Sequence, residues 1–95
     1  MREKPEDLTL TNAILKLRTK GEVMRFLRDL CTPSEIRAIE ERWLIACLLD
    51  MEAFSYREIA AQTGISLTTI TRVARFLNDE RYKGYRLLLD RLKGK

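Results

Sequence analysis

The stretch SYREIAAQTGISLTTITRVARFLN, residues 55–78, decides the reading of this chain. Ser55 is followed three positions later by Glu58, the spacing of a capping box, in which each side chain satisfies a backbone amide left unpaired at a helix start. A helix is therefore predicted to begin at Tyr56, with Ile59, Ala60 and Thr63 facing inward. Gly64 ends it, because a residue without Cβ enters the left-handed backbone without a clash. Ser66 can cap a second helix, whose inward face is predicted from the helical spacing of Ile65, Leu67, Ile70, Val73, Ala74 and Leu77. Thr68, Thr69, Thr71, Arg72 and Arg75 are left for its other sides, and no acidic residue occurs in that helix.

Ala60 stands four residues before Gly64. Two helices that cross steeply need a small residue at the crossing, and bulk there would push them apart. Together with Gly64, Ile70 and Val73, Ala60 fits a helix-turn-helix, whose second helix enters the major groove while the first crosses the phosphate backbone. The bland alternative is an ordinary helical hairpin with solvated Arg and Thr. Charge favours the first reading. Residues 1–54 carry nine Lys/Arg against ten Asp/Glu, whereas residues 55–95 carry nine against four. A basic half suits a polyanion, since phosphate neutralisation with counterion release drives most non-specific DNA affinity. Six of those cations fall in the closing stretch RYKGYRLLLDRLKGK, where they could equally form the solvated face and dipole-complementing end of a terminal helix.

Ninety-five residues suffice for one domain, read here as dimerisation helices over 1–54, the helix-turn-helix over 55–78 and a C-terminal helix over 79–95. The expected fold class is all-α, with about six helices. No repeat, low-complexity segment or export signal is visible, and the longest apolar run, WLIACLL at residues 43–49, is far short of the roughly 20 residues a membrane span requires. A soluble, cytoplasmic protein with no membrane partner is expected. Cys31 and Cys47 are sixteen residues apart and the chain has no His, so one chain can assemble neither a zinc site nor a Cys–His nucleophile. Both cysteines read as small buried hydrophobes. No glycine-rich phosphate loop or GxSxG turn is present, and the adjacent Glu40 and Glu41 point to different parts of a helix surface, which speaks against an enzyme. No metal and no cofactor are expected.

Upstream, residues 9–18 allow a weak amphipathic turn or two, and GEVMRFLRDLC, residues 21–31, places Val23, Phe26, Leu27 and Leu30 on one stripe. Thr32-Pro33-Ser34-Glu35 is the strongest helix start in the chain: Thr32 caps, Pro33 takes the first helical position, and Glu35 closes the box. The helix from Pro33 to about Met51 is apolar on every side between Trp43 and Leu49. A lone small domain has one central position for such a helix. The simpler arrangement is an obligate homodimer whose partner chain wraps it.

The segment from Phe26 to Asn78 resembles the tryptophan repressor superfamily, especially its YerC/YecD-type branch, most specifically in LCTPSE, in Arg42 ten residues after Thr32, and in the SYREIA, TGIS and TITR runs. The resemblance implies an all-helical, intertwined homodimer whose two reading heads contact successive major grooves of double-stranded operator DNA to regulate transcription as a repressor-like protein. By matching position it implies that Tyr56 and Arg57 reach phosphates with Ala60 nearby, and that Ser66, Leu67, Thr68, Thr69, Thr71 and Asn78 contact the DNA. Such roles suit the chemistry: amides and hydroxyls at a helix start bind phosphate, and Thr can hydrogen-bond a base edge and touch a thymine methyl. Arg72 and Arg75 join the expected interface, Arg75 from helix geometry alone.

The family's amino-acid corepressor lies between two arginines that match Arg42 and Arg72, with Thr32 matching another pocket residue. Two arginines can pair with a carboxylate and stack on a planar group. Two positions depart: a glycine beside the second arginine is Val73 here, and a small hydroxyl residue that receives the ligand's amino group is Phe76. The added bulk and lost polar partner predict a slot filled by the protein's own side chains, hence no use of L-tryptophan. Under the bland reading, Arg42 and Arg72 only form surface ion pairs with Glu35, Glu40 or Glu41. Two other classes of function remain open: a helical protein-interaction module that docks through the long helix and Trp43, and a DNA-binding part of replication machinery.

Overall fold

The computed structural model describes residues 4–79 and 81–94. Among these residues it is all-α as expected, with six α-helices after a 3-10 turn at Pro5–Asp7: α1 (Leu10–Leu15), α2 (Lys20–Leu30), α3 (Pro33–Asp50), α4 (Tyr56–Thr63), α5 (Leu67–Asn78) and α6 (Gly84–Leu92). Backbone contacts divide the chain into two units, Met1–Ile36 and Arg37–Lys95.

Each helix of the first unit starts on a threonine cap. Thr9 accepts the Asn12 amide at 3.2 Å, and Thr19 accepts the Glu22 amide at 3.1 Å. The start of α3 is the box anticipated from sequence: the Glu35 amide donates to Thr32 Oγ1 at 3.2 Å, and the Thr32 amide donates to Glu35 Oε1 at 2.7 Å. These bonds hold the Glu35 carboxyl below its ordinary range, the Thr32 amide contributing most. Yet neither α1 nor α2 buries a residue. Phe26 and Leu27 are half-buried, while Val23 and Leu30 from the same stripe are exposed.

The second unit holds the core. Ile45 and Ala46 of α3, Ile59 of α4, Ile65 of the turn, and Ile70 and Val73 of α5 form one buried cluster, flanked by Trp43, Leu48, Leu49, Phe54, Ala60 and Tyr85. Of the all-round apolar stretch of α3, Trp43, Ile45, Ala46, Leu48 and Leu49 belong to this core or pack against it, whereas Leu44 remains 45% exposed. Cys31 and Cys47 are free and only half-buried, a correction to the buried pair expected from sequence. Burial, then the nearby Asp50 charge, pushes the Cys47 thiol up, so it stays protonated and weakly nucleophilic. No helix among the described residues is long and apolar enough to cross a membrane.

Helix α6 is tied to the end of α3 by ions. Arg86 Nη1 donates to Asp50 Oδ1 at 2.7 Å, Lys93 pairs with Asp50 Oδ2, and Arg86 also lies 3.5 Å from Asp90. The Asp50 side chain is 9% exposed. Lys93 first and Arg86 second hold its carboxyl below the usual range. A carboxylate with a depressed folded pKa contributes stability that is complete above its unfolded value, about 4, and is lost as pH falls through the folded value. Asp50→Asn should therefore lower the thermal midpoint at pH 7 by several degrees, and the gap from wild type should narrow steadily below about pH 4. A pH-independent gap in calorimetry would contradict the ion-pair account.

Candidate nucleic-acid interface

Local chemistry sets the geometry of α4 and α5. The Glu58 amide donates to Ser55 Oγ at 3.1 Å and the Ser55 amide to Glu58 Oε1 at 2.8 Å, completing the predicted capping box at α4. These contacts keep the Glu58 carboxyl below its ordinary range, with the Ser55 amide the main cause. At the other end Gly64 adopts φ 74°, ψ 6°, and its amide reaches the Ala60 carbonyl at 2.9 Å. Thr63 contributes something the sequence pattern did not reveal. Its hydroxyl donates to the Ile59 carbonyl at 2.7 Å and accepts the Ile65 amide at 3.1 Å, which ties the turn across Gly64. Half-buried Ala60 lies beside the cluster, and Ile59, Ile70 and Val73 are at most 1% exposed, so the first helix and the inner face of the second share one core.

The outer face of α5 is where the sequence placed the expected contacts. Leu67, Thr68, Thr71, Arg72 and Arg75 line a shallow groove of about 440 Å³. Leu67 is a correction: its helical spacing predicted an inward position, but it is 48% exposed. The chain enters α5 from the turn at Ser66, and Ile65 takes the buried place that the spacing assigned to both residues. Ser66 Oγ accepts the Thr69 amide at 3.2 Å and donates to Thr69 Oγ1 at 3.0 Å, so these two hydroxyls form the cap, and Thr69 is half-buried. Thr68 and Thr71 are exposed. Tyr56 and Arg57 occupy the exposed first turn of α4, and Asn78 is the exposed last residue of α5.

Behind α5 is a second concavity of about 370 Å³, lined by Arg42, Arg72, Val73 and Phe76 together with Asp79, Tyr82, Lys83, Gly84 and Tyr85. The sequence had predicted this slot to be filled, and the structure corrects that: the cleft is open. Val73 is buried and supplies wall rather than plug, while the Phe76 ring is 40% exposed and lies against guanidinium groups, 5.3 Å from Arg72 and 5.5 Å from Arg75. Thr32 is not among the lining residues; it serves as the cap of α3. Tyr85 stacks on Trp43 with centroids 6.4 Å apart and planes at 28°. Lys83, at φ 57°, brings the chain into α6 in the left-handed conformation. Of these residues the sequence reading singled out only four, because the walls from Asp79 to Tyr85 arrive by the fold of α6, which no local spacing specifies.

A capped pair of helices about a left-handed glycine, with a basic, hydroxyl-rich outer face and an arginine-flanked cleft behind it, agrees with the comparisons to known proteins. The family model described as "Trp repressor protein" matches residues 7–93. This chain belongs to that family. It is 42% identical over 84 residues to the uncharacterized protein YerC of Bacillus subtilis (strain 168), covering 88% of this chain and 79% of the relative. It also superposes on the crystal structure of a TrpR-like protein from Eubacterium eligens ATCC 27750 with a TM-score of 0.78 and 35% identity, over 95% of this chain and 96% of that one. Members of the family are typically DNA-binding regulators built on a helix-turn-helix.

Proposed function

We propose that this protein is a sequence-specific transcriptional regulator of the repressor type that binds palindromic operator DNA as a homodimer, and that L-tryptophan is not its corepressor. The observation that carries the reading is the outer face of α5: Thr68, Thr71, Arg72 and Arg75 line one groove, on a helix without acidic residues whose opposite face is locked in the core. Thr68 and Thr71 are free to meet base edges, whereas Ser66 and Thr69 act through the helix start they build, whose unpaired amides attract phosphate. Tyr56, Arg57, Arg72 and Arg75 supply backbone contacts, Leu67 offers an apolar contact at the groove, and Asn78 bounds the reading surface.

Dimerisation is supported by what one chain leaves uncovered. Helices α1 and α2 bury no residue, and Leu15 is 80% exposed. Ile39 and Leu44 of α3 and Leu87, Leu88 and Leu92 of α6 are likewise exposed. A second copy is the economical cover, since a two-fold interface meets each such surface with an equivalent one and fixes the spacing of two reading heads. Against L-tryptophan stand the loss of a hydroxyl at Phe76 and the engagement of Arg72 with the Phe76 ring.

Selection from random DNA should return palindromic half-sites about one helical turn apart. On such a site Thr68→Ala or Thr71→Ala should weaken binding by about tenfold or more while affinity for unrelated DNA holds. Arg57→Ala should instead weaken all sequences alike and reduce the salt slope by about one. Unaltered discrimination in the threonine variants would refute the reading of α5. Sedimentation at micromolar concentration should give a dimer, and a stably folded monomer would overturn that part of the proposal. Calorimetric titration with L-tryptophan should give no micromolar signal; a clear one would restore it as effector.

A further inference from the structure

Phe76 lies outside the buried core. It is 40% exposed, yet the guanidinium carbons of both Arg72 and Arg75 lie within 5.5 Å of its ring centre. Among the described residues neither arginine has a carboxylate at salt-bridge distance. Arg72 also lines both concavities, the groove on the outer face of α5 and the cleft behind it.

We propose that Phe76 is a positioning residue for DNA binding, a platform whose aromatic face gathers the guanidinium groups of Arg72 and Arg75 and holds them ordered for the phosphodiester backbone. The proposal rests on the DNA-binding reading above. Its physical basis has three parts. Arg72 and Arg75 are three residues apart, so their side chains are neighbours on the helix, and two cations so placed repel each other. The negative face of an aromatic ring offsets that repulsion without neutralising either charge, as a carboxylate would. Arginine side chains also lose much rotamer freedom when they engage a phosphate, and a partner already present in the free protein lowers that loss.

The consequence is a division of roles at the one residue both concavities share. In the free protein Arg72 is turned onto the chain's own ring, and an incoming phosphate meets two guanidinium groups that are already assembled. An aromatic group supplied by the chain thereby orders the reading face from within, with no need of one supplied by a ligand. The ring is specific to this role: leucine fills comparable space and is compatible with the helix, but has no π-face, whereas tyrosine keeps the face.

The test compares wild type with Phe76→Leu and Phe76→Tyr for binding to a selected site, followed by fluorescence anisotropy across a salt series, with helicity and thermal midpoint measured alongside. Phe76→Leu should remain folded and bind about three- to tenfold more weakly, with a shallower salt slope, while Phe76→Tyr should stay within about twofold of wild type. The same Leu substitution in an Arg72→Gln background should cost distinctly less, because the ring then has one fewer cation to place. Wild-type affinity and slope in the Leu variant, an equal loss in both backgrounds, or a Tyr variant as weak as Leu would each overturn the positioning role while leaving DNA binding standing. A wild-type protein that discriminates no DNA sequence would overturn the DNA reading and this role together.

Discussion

The contact on which the rest depends is the meeting of Ile45, Ile59, Ile70 and Val73, all at most 1% exposed. Each comes from a helix that would otherwise be free: Ile45 from α3, Ile59 from α4, and Ile70 and Val73 from α5. Helices of eight and twelve residues are marginal on their own in water. Their shared burial fixes the crossing of α4 and α5, and with it the direction of everything on the opposite face of α5. A side chain on that face, such as Thr68 or Arg75, can stay solvated because the core is complete without it. The reading surface is in this sense the complement of the core, and its stiffness is borrowed from the core.

Much of this was legible because the decisive signals are local. A serine three residues before a glutamate, a threonine before Pro33, and a glycine at a helix end report a backbone conformation within one turn, and Ser55, Thr32 and Gly64 all take the roles their neighbours imply. Where the chain had to choose between two equally apolar candidates, periodicity failed. Ile65 and Leu67 flank the Ser66 cap, only one can enter the core, and the fold of the turn selects Ile65. The open cleft was illegible for a related reason. Adding the volumes of Val73 and Phe76 to a family pocket predicts closure only if both side chains point into it, and the Phe76 ring is drawn instead onto Arg72 and Arg75. Its remaining walls, from Asp79 to Tyr85, depend on how α6 returns, and the sequence carries no cap at the start of that helix to announce it.

Charge shows the same limit most sharply. Six Lys/Arg in the last fifteen residues look from composition like a surface for a polyanion. Lys95 lies outside the described residues; of the others, Arg86 and Lys93 are turned onto Asp50, so they hold α6 against the end of α3. Arg72 and Arg75 have no such carboxylate partner among the described residues. Net charge therefore misassigns part of the work: Arg86 and Lys93 of the basic half are structural, while Arg72 and Arg75 stand beside the threonines of α5.

That economy bears on how discrimination and affinity are divided. Cations spread widely over a surface would bind any DNA, because phosphate contacts carry no sequence information. Arg72 and Arg75 stand on the helix that also presents Thr68 and Thr71, so in the complex we propose phosphate contacts and base contacts come from one element. Register is then set where it is read. On the reading proposed above, a single head gains little affinity and a second is held at a fixed distance from it. In the homodimer we propose, the exposed apolar residues of α1, α2, α3 and α6 are where that distance is set, so the modest affinity of one head and the need for a second copy have one structural origin.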